Sequence, residues 1–328
     1  MIRLTNAIGF GSGISGAAGV PAEYGYSSGG SLAATVATTD RCTFSTSVIA
    51  AHTDSDLPTA TATSYAISDA TEFGYQVAGY AGGLTDVGHR MTFSTGAWAA
   101  HTDANLSSAR SGLVGLSDAN TSGFGYFAAG EDASTDVVTG ERLTFSTSVL
   151  TTHTDADLST ARRKCQGLGD ATTFGYFIAG ELGGVQDDTD RCTFSTSVVA
   201  AHTDSDLPTA TTAGTTVGDS NTEGFGYYLA GVTGSRTVNG YRMTFSTGVL
   251  AAHTDANASI AVQGTAGMTD GGAFGFGYRL AGFDGDAPNN STELSDRMTF
   301  STSVLAAHTD ANLSTARNGM VALADFAS

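Results

Sequence analysis

The sequence predicts an all-β protein in which six copies of a four-stranded unit close into a ring, a six-bladed β-propeller. Three repeated signatures predict it. Arg-x-Thr-Phe-Ser-Thr stands at Arg41, Arg90, Arg142, Arg191, Arg242 and Arg297, and His-Thr-Asp at His52, His101, His153, His202, His253 and His308. The Arg-to-His separation is 11 in every copy, and the copies recur about every 50 residues. An aromatic-Gly-Tyr-x-x-Ala-Gly run recurs around Tyr75, Tyr126, Tyr176, Tyr227 and Tyr278, with a degraded copy at Tyr26. A fixed period of this length marks a repeat architecture.

Each unit reads as four short strands. In the third unit the first strand is Arg110 to Leu116. The second is Phe124–Gly130, aromatic and bounded by Gly, as suits a buried strand. The third, Arg142–Thr147, alternates Leu and Phe with Arg, Thr and Ser, the period-2 pattern of a strand with two unlike faces. The fourth is Val149 to His153, reached through a tight turn. No segment carries a sustained 3.6-residue apolar period. An Asp follows each His by 17 residues (Asp69, Asp118, Asp170, Asp219, Asp270, Asp325) and marks the end of each first strand. Arg317–Ala324 is then a first strand without a second, and Tyr24–Gly30 a second strand without a regular first. Joining them closes the ring and removes its open edges. The expected organisation is a Gly-rich arm, 1–22, and a propeller, 23–328. Its blades are 317–328 with 23–58, then 59–107, 108–159, 160–208, 209–258 and 259–316.

The Ala109-Arg110 start, the aromatic strand ending in Ala-Gly or Gly-Gly, and the Arg-x-Thr-Phe strand resemble the landmarks of the kelch repeat, in the same order. The outer-strand Trp of that family is matched only at Trp98. The resemblance spans residues 23–328 and implies fold. These repeats are also similar in style to kelch-like repeats of bacteriophage virion proteins. That likeness implies a virion location, with other virion proteins, a host-surface receptor or a glycan as partners.

The copies follow an ABCABC order. Units one and four share Asp-Arg-Cys-Thr-Phe and Ser-Asp-Leu-Pro; two and five share Ser-Thr-Gly at Gly96 and Gly248; three and six share Leu-Ser-Thr-Ala-Arg at Arg162 and Arg317. A three-blade half was duplicated. Cys42 and Cys192 fall across the ring from each other, too far apart for a disulfide, in a slot that elsewhere holds Met91, Leu143, Met243 and Met298. With Cys165 they suit a reduced or disulfide-free setting.

The chain has 14 Lys and Arg against 32 Asp and Glu, a net charge of −18. Such a surface opposes nucleic-acid binding, which needs a basic face. No apolar run is long enough to span a membrane as a helix. Met1 to Asn6 lacks the apolar stretch of a secretory signal.

The six His-Thr-Asp triplets invite a metal reading, but on peripheral strands six copies cannot converge on one ion. They are expected to be scaffold turns between blades, and the six Arg to pair with neighbouring carboxylates or carbonyls. Function is sought where symmetry breaks. The sixth unit carries an insertion whose Asp284, Asp286, Asn289 and Glu293 form a weak Ca²⁺ candidate; no other cofactor is expected. Asn290, the acidic pair Asp187 and Asp188, and the non-repeat His89 complete the binding-loop candidates. No His-Glu-x-x-His signature is present, so no catalytic residue is expected. Two classes remain: a non-enzymatic structural or adhesion protein of a virion, oligomeric within an assembly, or a carbohydrate-binding or glycan-processing propeller at a cytoplasmic or extracellular location.

Overall fold

The computed structural model describes residues 23–69, 71–118, 123–170, 172–219, 224–270, 274–285 and 290–325. The Gly-rich residues 1–22 and the candidates Asp286 and Asn289 lie outside them. Among the described residues, six antiparallel four-stranded sheets form the blades of a propeller. In blade 3 the strands run outward as Val114–Asp118, Phe124–Ala128, Glu141–Thr144 and Val149–Thr152. The other inner strands are Tyr65–Ser68, Gln166–Gly169, Thr215–Asp219, Ala266–Thr269 and Val321–Ala324. Each packs on the inner strands of both neighbouring blades, so the cycle closes.

Blade 1 is assembled from both ends of the chain. Val321–Ala324 pairs with Tyr24–Ser28, in register from Gly25 opposite Ala324 to Ser28 opposite Val321. The Asp325 carboxylate then accepts the backbone N–H groups of Glu23 and Tyr24 at 3.1 and 2.8 Å. Asp69 and Asp170 do the same for the turns of blades 2 and 4, each accepting three successive N–H groups.

The aromatic-Gly-Tyr signature has a packing origin. Ile67 of blade 2 lies over Gly125 of blade 3, where a Cβ would come within 2.2 Å of it; Leu116 meets Gly175 and Leu168 meets Gly226 in the same way. The Tyr that follows is buried. The Ala-Gly that ends the second strand takes two successive left-handed residues, such as Ala78 at φ 57° and Gly79 at φ 108°. Gly79 donates its N–H to the carbonyl of Arg110 in the next blade, and Gly130, Gly180, Gly231, Gly282 and Gly30 repeat that bond around the ring. A Cβ on Gly79 would lie 2.6 Å from the Ala62 carbonyl oxygen.

The inner strands begin later than the sequence predicts. Arg110, Arg162 and Arg317 precede them and turn inward, fully buried, against an acid on the third strand of their own blade. Arg110 meets Glu141 at 2.9 Å, and Arg162 meets Asp190 and Arg317 meets Asp40 at 2.8 Å. Blade 6 has Val262 at the Arg position, and Arg279 from its second strand takes over, 2.8 Å from Asp296. Blades 2 and 5 have Thr61 and Thr211 there, and no acid: His89 and Tyr241 stand in its place.

Candidate functional site

One residue from each blade, just ahead of the inner strand, builds a closed ring about the axis. Thr63, Gly112, Lys164, Ala213, Gly264 and Gly319 all have φ between 53° and 64°. Each donates its N–H to the carbonyl of its counterpart in the preceding blade, from Thr63 to Gly319 round to Gly319 to Gly264, at 2.6–3.4 Å. Left-handed backbone suits Gly and costs the other residues; here the hydrogen bonds of the closed ring hold Thr63, Lys164 and Ala213 in it.

The ring lies at the base of a bowl of about 860 Å³. The connections between second and third strands contribute Leu32, Val232 and Phe283 to its walls, and Val185 joins them from the start of the third strand of blade 4. Ser64, Gln166, Thr212 and Thr265 supply polar groups close to the ring. Lys164 is the one cation among the described residues that lines the bowl. Of the 13 Lys and Arg among the described residues, six are the repeat arginines and four are the buried partners of acids. The remaining three are Arg163, Lys164 and Arg236. Arg163 contacts Glu131 and Glu181, the latter at 3.0 Å. Lys164, the single lysine of the chain, contacts the other Glu181 oxygen at 2.7 Å. Burial works against the Glu181 carboxylate, but hydrogen bonds from Lys164 and Arg163 outweigh it and lower its pKa. Arg236 lies 5.4 Å over the Phe283 ring.

Among the described residues the repeat arginines do not pair with carboxylates. Each lies flat over the aromatic ring that opens the second strand of its blade, at 4.2–4.3 Å: Arg41 on Tyr24, Arg90 on Phe73, Arg142 on Phe124, Arg191 on Phe174, Arg242 on Phe225 and Arg297 on Phe276. A delocalised guanidinium stacks well on a ring face. The strand register places Arg41 opposite Tyr26 and next to Tyr24, which brings the pair together.

The repeat histidines stand where a blade meets the next. His101 lies 3.1 Å from the Ser148 carbonyl of blade 3, and His52 and His202 donate through Nδ1 to Ser55 and Ser205. The Asp of the triplet is exposed. The bonding side chain is the Asp or Asn two residues further on. Asp56, Asn105, Asp157, Asp206, Asn257 and Asn312 each accept the backbone N–H of the residue two positions before the repeat arginine, at 2.7–2.9 Å. An Asp or Asn four residues after all six His was a signal available in the sequence, hidden behind the more conspicuous triplet.

The described loop candidates lie on three different blades. His89 is not on a loop: it lies in the strand Leu84–Thr92, 1% exposed, and its Nδ1 is 2.7 Å from Gln76 Oε1, whose amide donates to Thr61. Burial lowers its pKa. Asp187 and Asp188 likewise belong to a strand, Val185–Thr193. Asp284 and Asn290 adjoin a small hairpin of Gly282–Phe283 with Ser291–Thr292, and Glu293 is exposed beside it. Among the described residues no group of three or more His, Cys, Asp or Glu is placed to hold a metal. All three cysteines are buried and free. Comparison with models of protein families finds none that matches, and comparison with curated proteins finds no matching relative.

Proposed function

We propose that this protein is a non-enzymatic scaffold and recognition module of a bacteriophage particle, packed laterally through its blade edges and presenting its bowl to a partner. The perimeter carries the reading. The exposed residues of the six outer strands are Val48, Ala50, Ala51 and their counterparts, which are all Val, Ala or Thr. Not one is charged, in a chain of net charge −18. Edge strands of free-standing proteins are normally guarded by charge, Pro or bulges, so a ring of bare edges fits a molecule whose rim is covered in an assembly. The similarity to kelch-like repeats of virion proteins supports the particle. Residues 1–22 are the proposed attachment arm.

The polar residues of the repeat are committed to rings, hydroxyls and backbone groups, which supports a scaffold rather than a catalyst. Density-gradient centrifugation of phage lysates tests the proposal. The protein should sediment with particles, and an Ala50→Lys, Ala251→Lys, Ala306→Lys variant that melts normally should leave them. Wild-type protein remaining at the top of the gradient would sink the virion assignment. Calcium-sensitive binding on a glycan array would favour a lectin instead.

A further inference from the structure

We propose that the bowl holds a neutral small ligand with an apolar body and a hydroxyl or amide head. This rests on the bowl being the recognition surface. Its volume, about 860 Å³, falls in the range of small-molecule pockets, roughly 300–1,000 Å³. Leu32, Val185, Val232 and Phe283 give it an apolar wall.

The head is specified by orphaned groups. Gln166, Thr212 and Thr265 all line the bowl and are only 4%, 4% and 5% exposed. Each has a side-chain oxygen with no hydrogen-bond partner among the described residues. Buried polar atoms are normally paired. A hydroxyl or amide can donate to Gln166 Oε1 and exchange hydrogen bonds with the two Thr hydroxyls. An anionic head is disfavoured because the cations at this mouth, Lys164 and Arg163, are already held by Glu181. A cationic head finds no free counter-charge either, because Glu181, the one carboxylate among the described lining residues, is already held by Lys164 and Arg163. A neutral head avoids both penalties.

The single lysine provides the reporter. Reductive ¹³C-methylation keeps its charge and gives one side-chain NMR signal at the mouth. Titration of the full chain with 1-octanol, octanoate, octylamine and glucose compares neutral, anionic, cationic and sugar probes. We expect 1-octanol to shift the Lys164 signal saturably, with the two charged probes roughly tenfold weaker or worse, about one hydrogen bond's worth of free energy. Thr212→Val should weaken 1-octanol several-fold, and Val232→Arg should abolish its binding, in proteins that melt like the wild type. Octanoate binding as tightly as 1-octanol, glucose binding without 1-octanol, or indifference to Val232→Arg would overturn the proposal. If no probe binds while Val232→Arg particles still lose their partner, the ligand class falls and the recognition surface stands.

Discussion

In blade 3 the space between the inner and third strands holds an ion pair, Arg110 with Glu141; in blade 2 the matching positions hold Thr61, Gln76 and His89, a chain of neutral hydrogen bonds. Blade 5 resembles blade 2, with Thr211 and with Tyr228 packed edge-on against Tyr241. The two kinds of blade also differ at their borders. Where blades 3, 4, 6 and 1 receive the preceding blade, a left-handed Ser of the outer turn meets a Tyr hydroxyl across the border. The pairs are Ser148 with Tyr75, Ser197 with Tyr126, Ser303 with Tyr227 and Ser47 with Tyr278, at 2.7–2.8 Å. Blades 2 and 5 carry Gly96 and Gly248 at that turn. There the hydroxyl comes from the other side: Ser55 and Ser205 donate to the Gly96 and Gly248 carbonyls. The four remaining His-Thr-Asp segments have a buried Ala in place of that Ser. Every border thus has one Ser, supplied from one flank or the other. The difference teaches that a position is exchanged together with its partner, because a buried polar group left alone costs more than the pair contributes.

The sharpest way to break this comparison is to strand one member of a buried ion pair. Arg110→Ala leaves Glu141 1% exposed without its counter-charge and should cost about 3–5 kcal/mol. Thr61→Ala in blade 2 should cost only about 1 kcal/mol. Arg110→Met with Glu141→Gln should recover most of the loss. Denaturant unfolding of the three variants checks this, and equal costs in blades 2 and 3 would erase the distinction.

Blade 1 adds a pH-dependent contrast, since its capping Asp joins the two chain ends. Burial pushes Asp325 up to about 7, against the pull of the Glu23 and Tyr24 N–H groups. Burial also raises Asp69, its counterpart in blade 2. A carboxyl whose folded pKa is raised binds more protons in the native state than in the unfolded one. Its contribution to stability is therefore largest at low pH and declines as pH climbs from about 4 to about 7, by a few kcal/mol at most. Asp325→Asn keeps an acceptor oxygen and removes the titration. Its melting temperature should vary less than that of the wild type across this window, and an unchanged slope would discount the cap.

A smaller effect tests the border exchange. Ser55→Ala should cost about 1–3 kcal/mol. Adding Gly96→Ser should return part of it, because Ser47 and Ser148 already occupy that left-handed turn. A double-mutant cycle should give a favourable coupling; strict additivity would show that the two flanks act independently. Smallest of all, Asp157→Asn should be within about 0.5 kcal/mol of wild type, since Asn105, Asn257 and Asn312 make the same bond. Asp157→Ala should cost about 1 kcal/mol by leaving the Gly140 N–H unpaired.

The sequence by itself determined the ring, the number of blades and the closure, because these follow from signatures that recur at fixed spacing. Each Gly, Tyr and Asp of the repeat answers a local demand that every blade makes, so six copies of the answer are visible in one dimension. It also displayed the ABCABC order, in Ser55 with Ser205 and Gly96 with Gly248, without the reason for it. Only the tertiary structure set Ser55 against Gly96, 41 residues away on the next blade. The candidate site followed the same division. Arg163 and Glu181 are unremarkable in the chain, Lys164 stands out only as its single lysine, and His89 was conspicuous for standing outside the repeat. Folding buried His89 beside Gln76 and brought six left-handed residues, about 50 apart, into one hydrogen-bonded ring. Contacts between blades depend on which strand ends meet around an axis, and spacing along the chain does not encode that distance.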